Sequence, residues 1–202
     1  MMNIEKYHHG HLREALINEA YQQIEQEGAI ALNLSKLSQK IGVSQPSVYR
    51  HFPNKQALAI RVAQRGFEQL AEALQKATRN AESDAFEGIR AIATAYVEFA
   101  LNHPEIARLM FSMKERTTEP VLQNASKAAA VPLFRIVEAA KHCDRLRNHD
   151  VEQAVRIIWA AIHGLAMLLM DEQIPSITRS TDQLSEHIEA TARALHLGLF
   201  VM

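Results

Sequence analysis

An all-α fold of about nine helices is predicted by three features of this sequence. Apolar residues recur at steps of three and four along most of the chain, with little β-branched alternation. Gly and Pro are scarce, 7 and 6 of 202 residues. In the stretch 34–55, LSKLSQKIGVSQPSVYRHFPNK, two short helical registers are separated by a Gly-Val pair.

The elements follow in order. A first helix is expected over about residues 11–26, with Leu12, Leu16, Ala20 and Ile24 on one face and Gly28 ending it. Residues 29–32 connect to a second helix capped by Asn33, whose register is held by Leu37 and Ile41. Gly42 can take the positive φ of a sharp turn. Ser44 is a good N-cap for a short third helix, which Pro46 can join because the first turn needs no amide donor there. Val43 and Val48 fill the angle between the two helices. Pro53 and Asn54 start a long helix over about 55–79, with Leu58, Val62, Phe67, Leu70 and Leu74 on one face.

Beyond it the pattern predicts a helix over 85–101, with Ile89, Ile92, Tyr96 and Phe99 facing inward. Asn102-His103-Pro104 opens a short helix to about 113, and 114–119 reads as a loop. A helix over about 120–142 should be kinked or split by Pro132. The most apolar helix, 150–170, is followed by a loop over 173–181 and a last helix over 181–199. This divides the chain into a head, 1–54, and a helical body, 55–202.

Composition bounds the function classes. Hydrophobic residues make up 48% of the chain, an ordinary globular share. A single cysteine, Cys143, excludes an intramolecular disulfide and fits a reducing, cytoplasmic setting. No apolar run in MMNIEKYHHG suggests a signal peptide, and the stretch 157–170, broken by His163 and Gly164, reads as a buried core helix too short for a bilayer. No membrane partner is expected. Residues 1–65 carry 8 Lys+Arg against 5 Asp+Glu, and the remainder 14 against 18. A basic head on an acidic body suits a module whose head meets phosphate.

The outer face of the short third helix carries the chemistry. Gln45, Ser47, Tyr49, Arg50 and His51 are hydrogen-bonding side chains of the kind that read base edges and phosphates. In a helix-turn-helix the second helix enters the major groove and the first crosses the backbone. Gln45 and Ser47, near the helix start, are the expected base readers, and Pro46 offers apolar contact to a thymine methyl. Arg50 suits either base or phosphate. Ser44 belongs to the same contact edge, and Ser35 and Lys36 should touch the backbone, helped by the positive end of their helix.

The pattern I-G-V-S-x-x-S-V-Y-R-H-F-x-N-K-x-x-L over residues 41–58 resembles the signature of the TetR family of bacterial transcriptional regulators. Tyr7-His8-His9-Gly10 with Leu12-Arg13, and Trp159-Ala-Ala-Ile-His163-Gly164-Leu165, are similar to the subgroup with a WHG-type C-terminal domain. The resemblance covers roughly the first third of the chain and that second island. It implies that Tyr49, His51 and Lys55 grip phosphate. It also implies a repressor that binds a palindromic operator as a homodimer and is released by a small, largely apolar effector. One short helix makes too few contacts for specificity, which itself favours a symmetric dimer. The expected interface is the stripe Leu184, Ile188, Ala192, Leu195 and Leu199, with Ala160, Ala161 and Gly164 allowing close helix approach. The pocket the family implies would draw on Tyr96, Phe99, Met110, Phe111, Met113, Phe134, Trp159, His163 and Met167. A histidine on an apolar helix such as His163 needs a hydrogen-bond partner, which a neighbouring carbonyl could supply.

Other classes find less support. G-x-S-x-G, glycine-rich phosphate loops, H-E-x-x-H and C-x-x-C are absent, so no catalytic residues or cofactors are expected. His8, His9 and His11 lack a carboxylate or cysteine at ligand spacing, and His142-Cys143-Asp144 are adjacent residues that rarely converge on one ion, so no metal is expected. The remaining rival is a helix-turn-helix architectural protein that senses nothing.

Overall fold

The computed structural model describes residues 9–81, 84–174 and 181–201. Among them are nine α-helices and no strand: α1 His9–Glu27, α2 Leu34–Ile41, α3 Gln45–His51, α4 Lys55–Thr78, α5 Ala85–Asn102, α6 Pro104–Ser112, α7 Pro120–His142, α8 Val151–Met170 and α9 Thr181–Leu199. Short 3-10 turns occupy Ala29–Ala31 and Lys114–Thr117. The chain divides into two compact units, Met1–Gly66 with Glu105–Leu122, and Phe67–Pro104 with Gln123–Met202.

In the first unit the predicted faces are the buried ones, except that Ile41 of α2 is only half-buried and Leu34, not singled out from sequence, is enclosed. Leu12, Leu16, Ala20 and Ile24 of α1 are enclosed, as are Leu34 and Leu37 of α2, Val48 of α3, and Leu58 and Val62 of α4. Asn33 caps α2, its Oδ1 accepting from the amides of Ser35 at 2.9 Å and Lys36 at 3.1 Å. Gly42 ends α2 at φ 75°, ψ 33°, the left-handed conformation that costs an L-residue roughly 1–2 kcal/mol. The next amide, on Val43, then reaches the Ser38 carbonyl at 2.9 Å, and the chain turns into α3. Phe52 closes the unit from below α3, with the Arg13 guanidinium 5.3 Å from its ring centroid.

Tyr21 is 6% exposed on α1, and burial, then the nearby Glu25 charge, push its phenol up to about 12 against a smaller opposing pull from Arg65. The unfolded chain loses this proton near pH 10 and the folded chain only near 12, so stability falls as pH rises through that window. The loss should reach about 2–3 kcal/mol by its upper end. Denaturant unfolding at pH 9.5 and 11.5 checks this: Tyr21→Phe should flatten the decline, and an equal decline in both proteins would reject it.

The second unit is built around α5, which packs against α8 and α9. Ile89, Ile92, Tyr96 and Phe99 of α5 are buried, as are Phe67, Leu70 and Leu74 of α4. Asp84 caps α5 through the amides of Phe86 and Glu87, and Asp150 caps α8 through that of Gln153. At Gly88 a β-carbon would lie 2.7 Å from Ile136 Cδ1 and 3.0 Å from its Cγ1, so α5 and α7 touch through a missing side chain. Gly88→Ala should therefore lower stability by about 1–2 kcal/mol, overpacking exceeding the helix-propensity gain. An unchanged unfolding midpoint would show that Ile136 can yield freely.

Two expectations are refined and a third holds. Residues 114–117 form a 3-10 turn within the predicted loop. Of the kink or split expected at Pro132, the split does not occur: helix α7 is one element. The ring removes one hydrogen bond, but buried Ala129, Leu133, Ile136 and Val137 hold both halves to the core. Helix α8 is 20 residues long with mean hydropathy 1.5, long and apolar enough by those measures alone to cross a membrane, but the expectation of a buried core helix stands. Its Ala154, Val155, Ile158, Ile162, Leu165, Ala166 and Leu169 are instead buried as core.

Candidate nucleic-acid interface

The reading edge is α3 and what surrounds it. Val48 is fully buried and anchors the helix, which leaves Gln45, Pro46, Tyr49 and Arg50 exposed and Ser47 and His51 half-buried. This follows from the seven-residue length: one inward side chain suffices to dock two turns, and the rest face outward. Ser44 sits at the N-cap position, yet its hydroxyl accepts no helix amide. Pro46 has no N–H to give, and the Ser47 amide bonds the Ser44 carbonyl at 3.0 Å. The Ser44 hydroxyl instead meets the Ser47 hydroxyl at 2.9 Å, and Arg50 Nη2 donates to Ser47 Oγ at 2.9 Å. Three side chains of the outer face are thus held in one short relay before any ligand arrives.

The flanking cations are also engaged. Lys55 Nζ, at the start of α4, donates to the Ile30 carbonyl at 2.6 Å and ties the 3-10 turn to that helix. An ammonium has three donors, so two remain for a phosphate. Lys36 Nζ stands 3.9 Å from the Glu27 carboxylate, and Lys40 pairs with Glu19. Because Asn33 already takes the amides of Ser35 and Lys36, what α2 presents outward at those two residues is side chains. Asn33 as a cap is legible in sequence; the Lys55–Ile30 bond, 25 residues apart, is not. His8 lies outside the described residues, as do the side chains of His9 and His11.

Comparison with known proteins fits this geometry. Residues 16–62 match the family model for bacterial regulatory proteins of the tetR family, and residues 89–192 match the tetracyclin repressor-like C-terminal domain. The chain belongs to the TetR family. It is a DNA-binding transcriptional regulator of the helix-turn-helix type. It is 24% identical over 193 residues to the uncharacterized HTH-type transcriptional regulator YobS of Bacillus subtilis, covering 95% of this chain and 94% of that one. A Rhodococcus sp. RHA1 protein of unknown function is similar in structure, with TM-score 0.81, 31% identity and coverage of 96% and 98%. The nucleoid occlusion factor SlmA of Vibrio vulnificus is 33% identical over 91 residues, 42% of each chain.

In the TetR-type body, three of the predicted pocket residues come together. The Tyr96 hydroxyl and His163 Nδ1 are 2.8 Å apart, and Trp159 stands edge-on to the Tyr96 ring at 5.2 Å between centroids. A phenol across the bundle is thus one hydrogen-bond partner of His163. Tyr96 is buried, while Trp159, His163, Phe134 and Met167 are half-buried. Phe99 packs its ring on His103 at 5.3 Å. Met110, Phe111 and Met113 belong to the first compact unit, and Met110 lies against Gly66.

The predicted contact stripe on α9 divides. Ile188 and Ala192 are buried inside the single chain, so they are core rather than surface, while Leu184, Leu195 and Leu199 are half-buried. The outward apolar residues of α9 are Ala190, Ala194 and Leu197. On α8, Ile157, Ala160 and Leu168 are exposed, and nothing lies within 4 Å of where a Gly164 β-carbon would be.

Proposed function

We propose that this TetR-family chain is a repressor that binds a palindromic operator as a homodimer and leaves it when a small, largely apolar ligand enters the body. The observation that carries the reading is the outer face of α3, where Gln45, Pro46, Tyr49 and Arg50 are exposed on a helix anchored by Val48. Gln45 and Ser47 read bases, and Tyr49, His51 and Lys55 hold phosphates with Ser35 and Lys36. The exposed apolar residues Ile157, Ala160 and Leu168 on α8 around half-buried Gly164, with Ala190, Ala194 and Leu197 on α9, support a symmetric helix pairing. The Tyr96–His163 bond beside Trp159 supports a polar anchor within an apolar ligand site. A ligand that prefers a different arrangement of that site would shift the population of DNA-competent dimers. These properties imply a cytoplasmic protein.

Selection of bound duplexes from a random pool, followed by affinity measurement on the winners, tests the reading. A two-fold symmetric site whose affinity falls with salt is expected. Failure to retain any duplex at low ionic strength would reject it. The SlmA similarity favours a second reading, a nucleoid-associated DNA binder without an effector; operator affinity unmoved by every ligand that binds the body would support it.

A further inference from the structure

Away from α3 and from Tyr96, with Leu197 of the proposed pairing face on its rim, the second unit holds a hollow of about 390 Å³ where the start of α5, the turn after α7 and the end of α9 meet. We propose that it binds a small aromatic carboxylate, the ring lying along Phe86, His196 and Phe200 and the carboxylate held by Arg145 with Arg193 alongside.

The volume is in the range of small-molecule sites. One wall is aromatic: His196 stacks on Phe200 at 5.5 Å with planes 11° apart, and Phe86 stands edge-on to His196 at 5.9 Å. A flat ring has a face and an edge to meet there, the two arrangements aromatic pairs prefer. The polar side of the lining is unbalanced, with Arg145 and Arg193 against Asp84 alone. The Asp84 carboxylate is committed to the amides of Phe86 and Glu87 as the cap of α5. Arg193 is shared between Glu189 at 2.6 Å and the face of Phe86 at 5.1 Å. Arg145 has no side-chain hydrogen bond or ion pair among the described residues, and the ring nitrogens of His196 have no hydrogen-bond partner there.

The backbone beneath Arg145 is fixed. The Val201 amide donates to the Arg145 carbonyl at 2.7 Å, the Arg147 amide donates to the Leu199 carbonyl at 3.0 Å, and Leu146 and Phe200 form an antiparallel bridge. A guanidinium without an ion pair among the described residues, carried on a backbone held in place, is available for the two-pronged grip that suits a carboxylate. The aromatic wall supplies the apolar contact that a bare inorganic anion could not use.

The probe is 4-fluorobenzoate, followed by fluorine NMR on the full chain without DNA, so the outcome is independent of the operator reading. It should bind at least about 10-fold more tightly than neutral 4-fluorobenzamide, the size of a charge-assisted hydrogen bond. Arg145→Gln should weaken it about 10-fold with an unchanged melting temperature, and Arg147→Gln, on the same turn but outside the lining, should not. Equal binding of acid and amide, unchanged binding by Arg145→Gln, an equal loss in Arg147→Gln, full displacement by equimolar phosphate, or no binding at all would each overturn the proposal.

Discussion

If the chain pairs as proposed, Gly164→Arg is expected to leave it monomeric and to lower operator affinity by roughly 10²–10⁴-fold, the scale of the avidity lost when two linked half-site contacts become one. The fold of the single chain should survive. The space beyond the Gly164 Cα is open within one chain, and its neighbours Ile157 and Leu168 are 43% and 47% exposed. In a helix pairing across this face the arginine would bury a charge with no counter-ion, a penalty of several kcal/mol. Sedimentation velocity with a parallel circular-dichroism melt decides the matter. A variant that stays dimeric with wild-type affinity would mean that the subunits meet through some other surface.

The reading edge makes a second, larger claim, because it separates two kinds of loss. Tyr49→Phe combined with Lys55→Ala should weaken binding about equally on all duplexes and reduce the salt dependence by about one counter-ion. Gln45→Ala should instead relax preference at one base pair, about 1–3 kcal/mol of discrimination. Lys55 also holds the Ile30 carbonyl, so its variant needs a stability control. Lys55→Arg keeps the charge and should recover the salt slope. If Gln45→Ala left the ranking of duplexes untouched, base reading would have to lie on another side chain.

Much of the head is legible one residue at a time. Asn33 caps α2, Gly42 takes a positive φ and Val48 is buried, each as the local chemistry requires. Ser44 shows the limit of such rules: it has the right position for a cap, but the proline two residues on removes the amide it would have accepted. In the body, helical periodicity located α9 but not its orientation. Leu184, Ile188, Ala192, Leu195 and Leu199 form one stripe by spacing, yet Ile188 and Ala192 are buried and the other three only half so. Spacing identifies a shared face without saying what covers it.

The order of residues alone determined the helices, the Asn33 cap, the turn at Gly42 and the polar edge of α3, because those depend on groups within about four positions of one another. Folding in three dimensions decided the partners: Lys55 with Ile30, 25 residues apart, Tyr96 with His163, 67 apart, and Arg145 with no side-chain partner among the described residues. Those pairings depend on how separate helices pack. Each contact draws on surfaces from distant parts of the chain, and no local preference specifies which will meet.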